Sequence, residues 1–444
     1  MLTRAVILAG GKGTRLASRL NGLPKPLVEV AGVPLLERQL LHCKAAGIRS
    51  ALVLVNHLAD RIAGFCRAKN NFGLDLSLAD DGEPRGTAGA VLAALPLLTA
   101  DEDLLIVYGD TLFNVDLERF YAAHARCGAD ASLFLHPNDH PRDSDLVGLN
   151  EENFIVRFLP YPHPPGAEYP NLVNAALYIV RRAALEPRRG LGEGPPRAVD
   201  FVKELFPAML EAGQKLYGYI SPEYVKDIGT PERLDAAEAD MASGRFAGGT
   251  LKVARRAVFL DRDGTLNEDR GYISRPEQLT LLPGAARAVR RLNRAGLPAV
   301  LVTNQPVLAR GECTEDELRA VHARLEHLLG LEGAYLDRIY YCPHHPDKGF
   351  AGERPELKIA CACRKPGIGM LRRAAADMRI DLARSWLVGD RTADIQCARN
   401  AGARSILVGA GTAGEDRACD AVPDFRAENL KGAVDIILAA EGMV

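Results

Sequence analysis

The chain has 444 residues, with 55 basic against 57 acidic side chains, a formal net charge of −2 and 47% hydrophobic residues. That length exceeds one ordinary core and implies two or three domains, while the balanced charge gives no reason to expect a nucleic-acid or membrane partner. No apolar run reaches transmembrane length, no signal peptide is evident, and nine cysteines in such a chain argue against a disulfide framework, so a soluble, cytoplasmic protein is expected.

Residues 4–9 read as a buried strand, followed at once by Gly10-Gly11-Lys12-Gly13-Thr14-Arg15-Leu16. Small residues let backbone N–H groups approach phosphate oxygens, and Arg15 adds charge; a plain turn is the competing reading. Pro24 and Pro26 restrain Lys25 between them. A helix at 35–46 leads to a strand at 51–56, a βαβ beginning. Gly86-Thr87-Ala88-Gly89 opens another helix, whose amides could meet a base or phosphate. The strand at 104–108 ends in Gly109-Asp110, and Lys226-Asp227 precedes a helix starting near Pro231, so two carboxylates stand at element ends.

Together LAGGKGTRL, PKP, GTAG, YGD and KDIGTPERL resemble the sugar-phosphate nucleotidyltransferases over roughly residues 1–240. DFVKELFP with LYGYI resembles the mannose-1-phosphate guanylyltransferase branch. The resemblance implies a mixed, mainly parallel sheet with flanking helices. By the same resemblance the glycine loop (Leu8, Gly10, Gly11, Gly13, Thr14) and Arg15 hold a nucleoside triphosphate, and Lys25 sits beside the reacting phosphates. Asp110 and Asp227 would bind Mg²⁺, Gly86, Thr87 and Ala88 would help with the base, and Asn174 and Lys203 would face the sugar phosphate. Two departures are visible: Phe158-Leu159-Pro160 replaces Glu-Lys-Pro, and Val202 replaces a common Glu, both on the sugar side in relatives. A degenerate, regulatory transferase domain is the alternative.

Glycine-rich residues 243–249 mark a flexible junction, placed at 241–254, before a second domain at 255–444. There the apolar run 257–260 delivers Asp261 and Asp263 onto a loop closed by Gly264 and Thr265. Two carboxylates two residues apart can project toward one cleft and call for a cation, which suggests Mg²⁺; a solvated turn is the bland reading. An ionised aspartate can attack phosphorus while its neighbour exchanges a proton with the leaving oxygen. Helices are expected at 285–295 and at 315–329, the latter capped by Thr314. Cys342, His344, Cys361 and Cys363, in C-x-H…C-x-C spacing, suit one closed tetrahedral structural zinc, unless the thiols are merely buried small hydrophobes.

DRDGT, then Thr303-Asn304, Arg364-Lys365-Pro366 and the GDRTAD that holds Asp390 resemble, in order, the motifs of the haloacid-dehalogenase phosphatases, and so imply a second, Rossmannoid α/β domain carrying the zinc loop. In that family the first Asp is the nucleophile and the second the general acid/base. Thr and Lys hold the phosphate, and the late Asp completes the Mg²⁺ site. The zinc loop narrows the resemblance to heptose 1,7-bisphosphate 7-phosphatases and histidinol-phosphate phosphatases, and TNQPVLARGECTEDELRAVHARL to the heptose branch, with Pro306-Val307 in place of its usual Ser-Gly.

The expectation is therefore a two-domain α/β protein performing consecutive steps of nucleotide-activated heptose synthesis. Asp261 and Asp263 would act on the 7-phosphate, with Thr303, Asn304 and Lys365 around the phosphoryl group, Arg364 on the distal phosphate, and Mg²⁺ at Asp261, Asp263 and Asp390. The first domain would join heptose 1-phosphate to a nucleotide, GMP from GTP. A mannose-1-phosphate guanylyltransferase fused to another phosphatase, and a nucleotide-sugar sensor regulating the phosphatase, are the alternatives.

Overall fold

The computed structural model of the protein describes residues 2–443 except 12, 21, 81, 83, 193–197, 410–413, 415 and 417. Lys12 of the glycine-rich loop thus lies outside the described residues. The chain forms two compact units, the first made of Met1–His136, Ser144–Tyr161 and Leu172–Leu251, the second of Pro137–Asp143, Pro162–Asn171 and Lys252–Val444.

In the first unit a nine-stranded sheet runs in the order Ile155–Leu159, Leu146–Leu149, Val173–Arg181, Asp103–Tyr108, Arg4–Leu8, Ser50–Val55, Asp75–Asp80, with Ala131–His136 and Leu216–Ile220 branching from it. The four strands from Asp103–Tyr108 to Asp75–Asp80 are mutually parallel, and Val173–Arg181 is antiparallel to its neighbours. Ala5, Val6 and Ile7 are fully buried and contribute to core clusters on the two faces of the sheet. This is why the strand reads as a continuous apolar run rather than an alternation. Arg4–Leu8 lies between the strand that follows it and one that comes much later. Its C-terminal end is therefore a topological switch point, where open α/β sheets form a crevice. Both the glycine loop after Leu8 and Gly109-Asp110 after Tyr108 open there. Gly109 is required at this edge, since a Cβ on it would stand 2.6 Å from the Leu8 carbonyl oxygen.

The residues read as a junction fold onto the first unit as far as Leu251. A short helix, Arg245–Gly248, sets Phe246 edge-on against Tyr224 at 5.2 Å, and the Glu223 carboxylate accepts hydrogen bonds from Thr250 Oγ1 at 3.3 Å and Leu251 N at 2.8 Å.

The second unit carries a six-stranded, wholly parallel sheet in the order Arg338–Cys342, Ala299–Asn304, Val258–Leu260, Trp386–Gly389, Arg404–Val408, Phe425–Ala427. Its switch point falls at Val258–Leu260, whose register pairs Leu260 with both Leu301 and Val388. Helices Ala285–Arg294 and Leu430–Ala440 bury Val289, Leu292, Val434 and Ile437 in one cluster with Trp386. Helix Glu315–Gly330 begins as the sequence predicts: Thr314 Oγ1 accepts from Glu317 N at 3.2 Å, and Glu317 Oε2 accepts from Thr314 N at 2.8 Å.

Candidate functional site

In the second unit, Asp261, Thr303 and Asp390 leave the ends of three adjacent parallel strands, so topology alone converges them. Asp261 is 7% exposed, Thr303 1% and Lys365 4%. The Lys365 ammonium lies 2.7 Å from Asp261 Oδ1 and 2.5 Å from Asp394 Oδ1. Gly264, at φ +77°, makes the turn beneath them; a Cβ there would stand 2.2 Å from Asp390 Oδ2.

One oxygen each of Asp261, Asp390 and Asp394 lie within 4.8 Å of one another. The ligand set read from the sequence, Asp261, Asp263 and Asp390, is thus differently composed. Asp394, on the first turn of helix Thr392–Ala401, enters the cluster, whereas the Asp263 carboxylate lies outside it, held by Arg262, Asn267 and Gln305. Three carboxylates against one ammonium leave an excess of negative charge, and Asp390 Oδ1 is buried without a partner. Hard oxygen donors with one lone pair to spare fit a Mg²⁺-type cation.

Asn304 also differs from expectation. Its amide donates to Lys365 O at 3.2 Å and accepts from Lys365 N at 3.0 Å, so the side chain is spent fixing the Lys365 loop. Arg364 Nη1 donates to His344 O at 3.3 Å.

Cys342, His344, Cys361 and Cys363 come together as their spacing predicts. Cys363 Sγ is 3.0 Å from Cys342 Sγ, 3.2 Å from Cys361 Sγ and 3.3 Å from His344 Nδ1. A tetrahedron built on metal–sulfur bonds of about 2.3 Å has edges of roughly 3.8 Å. Four ligand atoms at these separations fit one closed, zinc-type site.

In the first unit a cavity of about 280 Å³ opens at the switch point, lined among others by Leu8, Gly10, Gly11, Lys25, Gly86, Thr87, Tyr108 and Asp110. Lys25 Nζ forms an ion pair with Asp110. Asp227 pairs across the Tyr224–Asp227 and Thr111–Asn114 ladder with Thr111, and Ile228 N donates to Asp110 O at 2.9 Å, so the two carboxylate-bearing residues are neighbours. Asp227 is matched by Arg233. Gly13, at φ +65°, starts the turn Thr14–Leu16, and the Arg15 guanidinium lies 3.4 Å from where a Cβ on Gly229 would stand. Ala88, expected to offer its amide to a ligand, is buried and donates to Val199 O at 2.9 Å. Asn174 Nδ2 donates to the Tyr178 hydroxyl at 2.8 Å, and the Tyr178 ring packs edge-on against Tyr108 of the cavity wall. Lys203 is exposed on the turn Phe201–Leu205, whose cap, Asp200, accepts from Thr87 Oγ1 at 3.0 Å.

The Nucleotidyl transferase family model matches residues 4–244, more than half of the chain, and a HAD-hydrolase-like model matches residues 362–433. A D-glycero-D-manno-heptose-1,7-bisphosphate 7-phosphatase of Thermosynechococcus vestitus is 45% identical over 192 residues, which are 41% of this chain and 95% of that protein. The chain belongs to the nucleotidyl transferases through its first unit and to the heptose-bisphosphate phosphatases through its second. The D-glycero-beta-D-manno-heptose-1,7-bisphosphate 7-phosphatase of Escherichia coli K12 is 42% identical over 142 residues, 32% of this chain and 72% of that one. Among solved structures, HddC from Yersinia pseudotuberculosis is 22% identical and covers 54% of this chain and 100% of its own, with a TM-score of 0.45. The two family matches make the protein a bifunctional enzyme, a nucleotidyltransferase joined to a phosphomonoester hydrolase.

Electrostatics in the phosphatase unit follow from burial. Desolvation pushes Asp261 up to about 6, against the pull of Lys365. Asp390 is pushed up to about 8, by burial first and then by the Asp261 and Asp394 charges. Burial opposes the charge on Lys365, yet the two carboxylates hold its pKa above the ordinary lysine range. A cation placed among the three aspartates would reverse the carboxylate shifts.

Proposed function

We propose that the phosphatase unit removes the 7-phosphate of D-glycero-D-manno-heptose 1,7-bisphosphate and that the transferase unit joins the resulting heptose 1-phosphate to GMP from GTP, giving GDP-heptose and pyrophosphate. One observation supports the pairing: a heptose-bisphosphate phosphatase sequence lies on the same chain as a nucleotidyl transferase, which would make the product of one unit the substrate of the other. A nucleoside triphosphate substrate would place this chemistry in the cytoplasm. No described helix is long and apolar enough to cross a membrane.

At the phosphatase site an Asp261 oxygen bonds to phosphorus as the bond from phosphorus to the C7 oxygen breaks, and that oxygen takes a proton from Asp263. Water then attacks the aspartyl phosphate, gives its proton to Asp263, and inorganic phosphate departs. Lys365 neutralises phosphoryl charge, Thr303 offers its hydroxyl, Asn304 fixes the Lys365 loop, and Arg364 serves the distal phosphate. Mg²⁺ held by Asp261, Asp390 and Asp394 would neutralise charge on the transferring group. Zinc at the three thiolates and His344 would order the loop that presents Arg364 and Lys365.

In the transferase cavity an oxygen of the sugar phosphate attacks the α-phosphorus of the nucleotide and pyrophosphate leaves. Arg15 and Lys25 balance the charge, Gly10, Gly11 and Gly13 allow close backbone approach, and Asn174 and Lys203 orient the sugar phosphate. Mg²⁺ held by Asp110 and Asp227 would screen the reacting phosphates.

Pyrophosphate release from GTP, measured with heptose 1-phosphate and mannose 1-phosphate in parallel, tests the reading. Preferential turnover of the heptose is expected. Preference for mannose 1-phosphate, or no pyrophosphate with either, would overturn it.

A further inference from the structure

Both oxygens of Asp263 are taken, and the donors are unusual in their origin. Arg262 forks onto it, Nε to Oδ1 at 3.1 Å and Nη2 to Oδ2 at 3.0 Å; Asn267 Nδ2 donates to Oδ1 at 2.9 Å; Gln305 Nε2 donates to Oδ2 at 3.1 Å. The three donors are buried, Arg262 and Asn267 at 0% and Gln305 at 2% exposed. Two of them belong to the loop that bears Asp263 itself and move with it. Gln305 alone comes from elsewhere, directly after the strand Ala299–Asn304. Its backbone N donates to Cys342 O at 2.8 Å, and its amide nitrogen also donates to Thr303 Oγ1 at 2.8 Å.

We infer that Gln305 is the positioning residue that registers the Asp263 carboxylate against the phosphoryl group held at Thr303. The inference rests on the hydrolase reading above. Its physical basis is where each donor is anchored. Arg262 and Asn267 lie on the same loop as Asp263, so their hydrogen bonds fix the carboxylate only relative to its own loop. The single Gln305 amide nitrogen is shared between Asp263 Oδ2 at 3.1 Å and Thr303 Oγ1 at 2.8 Å, so it ties the carboxylate to the segment that carries Thr303. Loss of that amide leaves Asp263 in place on its loop but frees it relative to the phosphoryl group.

Proton delivery matters in proportion to the basicity of the leaving oxygen, and this separates positioning from plain structure. A sugar alkoxide needs the proton, whereas p-nitrophenolate departs without one. The full chain and its Gln305→Met and Gln305→Glu variants are assayed for kcat/KM, which reports on formation of the phosphoenzyme, with heptose 1,7-bisphosphate and with p-nitrophenyl phosphate. Asp263→Asn serves as the benchmark. General acid catalysis supplies about 10²–10⁴-fold, so a loss of roughly 100-fold with the sugar phosphate is expected. The aryl ester should lose no more than a few-fold. An equal loss with both substrates in both variants, or no loss with the sugar, overturns the inference. Failure of the wild-type chain to hydrolyse either substrate would instead defeat the hydrolase reading on which it stands.

Discussion

Lys365 places its ammonium 2.7 Å from the Asp261 carboxylate, in a pocket where both side chains are almost fully buried. The same ammonium reaches Asp394 at 2.5 Å, so one cation holds together two carboxylates that would otherwise repel. Removing it leaves buried, unpaired charge, and that is costlier than the pairs are stabilising.

Lys365→Met is accordingly expected to lower the stability of the phosphatase unit by about 3 kcal/mol or more and to abolish phosphate release. Denaturant unfolding alongside a phosphate assay checks both. A variant as stable as wild type would show that Asp261 and Asp394 do not depend on the lysine.

The thiolate and imidazole cluster is expected to hold about one zinc per chain, measurable by elemental analysis. Cys361→Ser should lose that metal and sensitise residues 342–363 to proteolysis. Phosphate release should fall with the metal, while pyrophosphate formation at the transferase cavity continues.

Much of this was legible in the sequence because its cause is local. An apolar run ending in Asp marks a parallel strand delivering a carboxylate to the switch point, and both Asp261 and Asp390 follow that rule. Asp394 carried a readable signal too: a second acid four residues after Asp390, at the strand-to-helix turn. What escaped depends on tertiary packing. Arg262 reads as a surface residue between two acids, yet it is fully buried because Asp263 turns back to meet it. Nor does any local pattern reveal that Val199 takes the Ala88 amide, that Asn304 is spent on the Lys365 backbone, or that Gln305 reaches Asp263 from beyond the end of the neighbouring strand.

His322 gives the second unit a signature in acid. Burial and then the nearby Arg262 charge push its pKa from 6.5 down to about 3. The folded form thus binds fewer protons than the unfolded chain between those values, and stability falls as pH drops from about 6.5 toward 3. His322→Leu should flatten this part of the profile, on the order of 1–3 kcal/mol across the window, in unfolding measured at a series of pH values. A profile identical to wild type would contradict the assignment.

The most direct test of the central claim, that the two units act in sequence on one sugar, uses full-length Asp261→Asn with GTP. Given heptose 1,7-bisphosphate, this variant should form neither inorganic phosphate nor pyrophosphate, whereas heptose 1-phosphate should yield pyrophosphate at the wild-type rate. Pyrophosphate appearing from the bisphosphate, or lost from the monophosphate, would contradict the account.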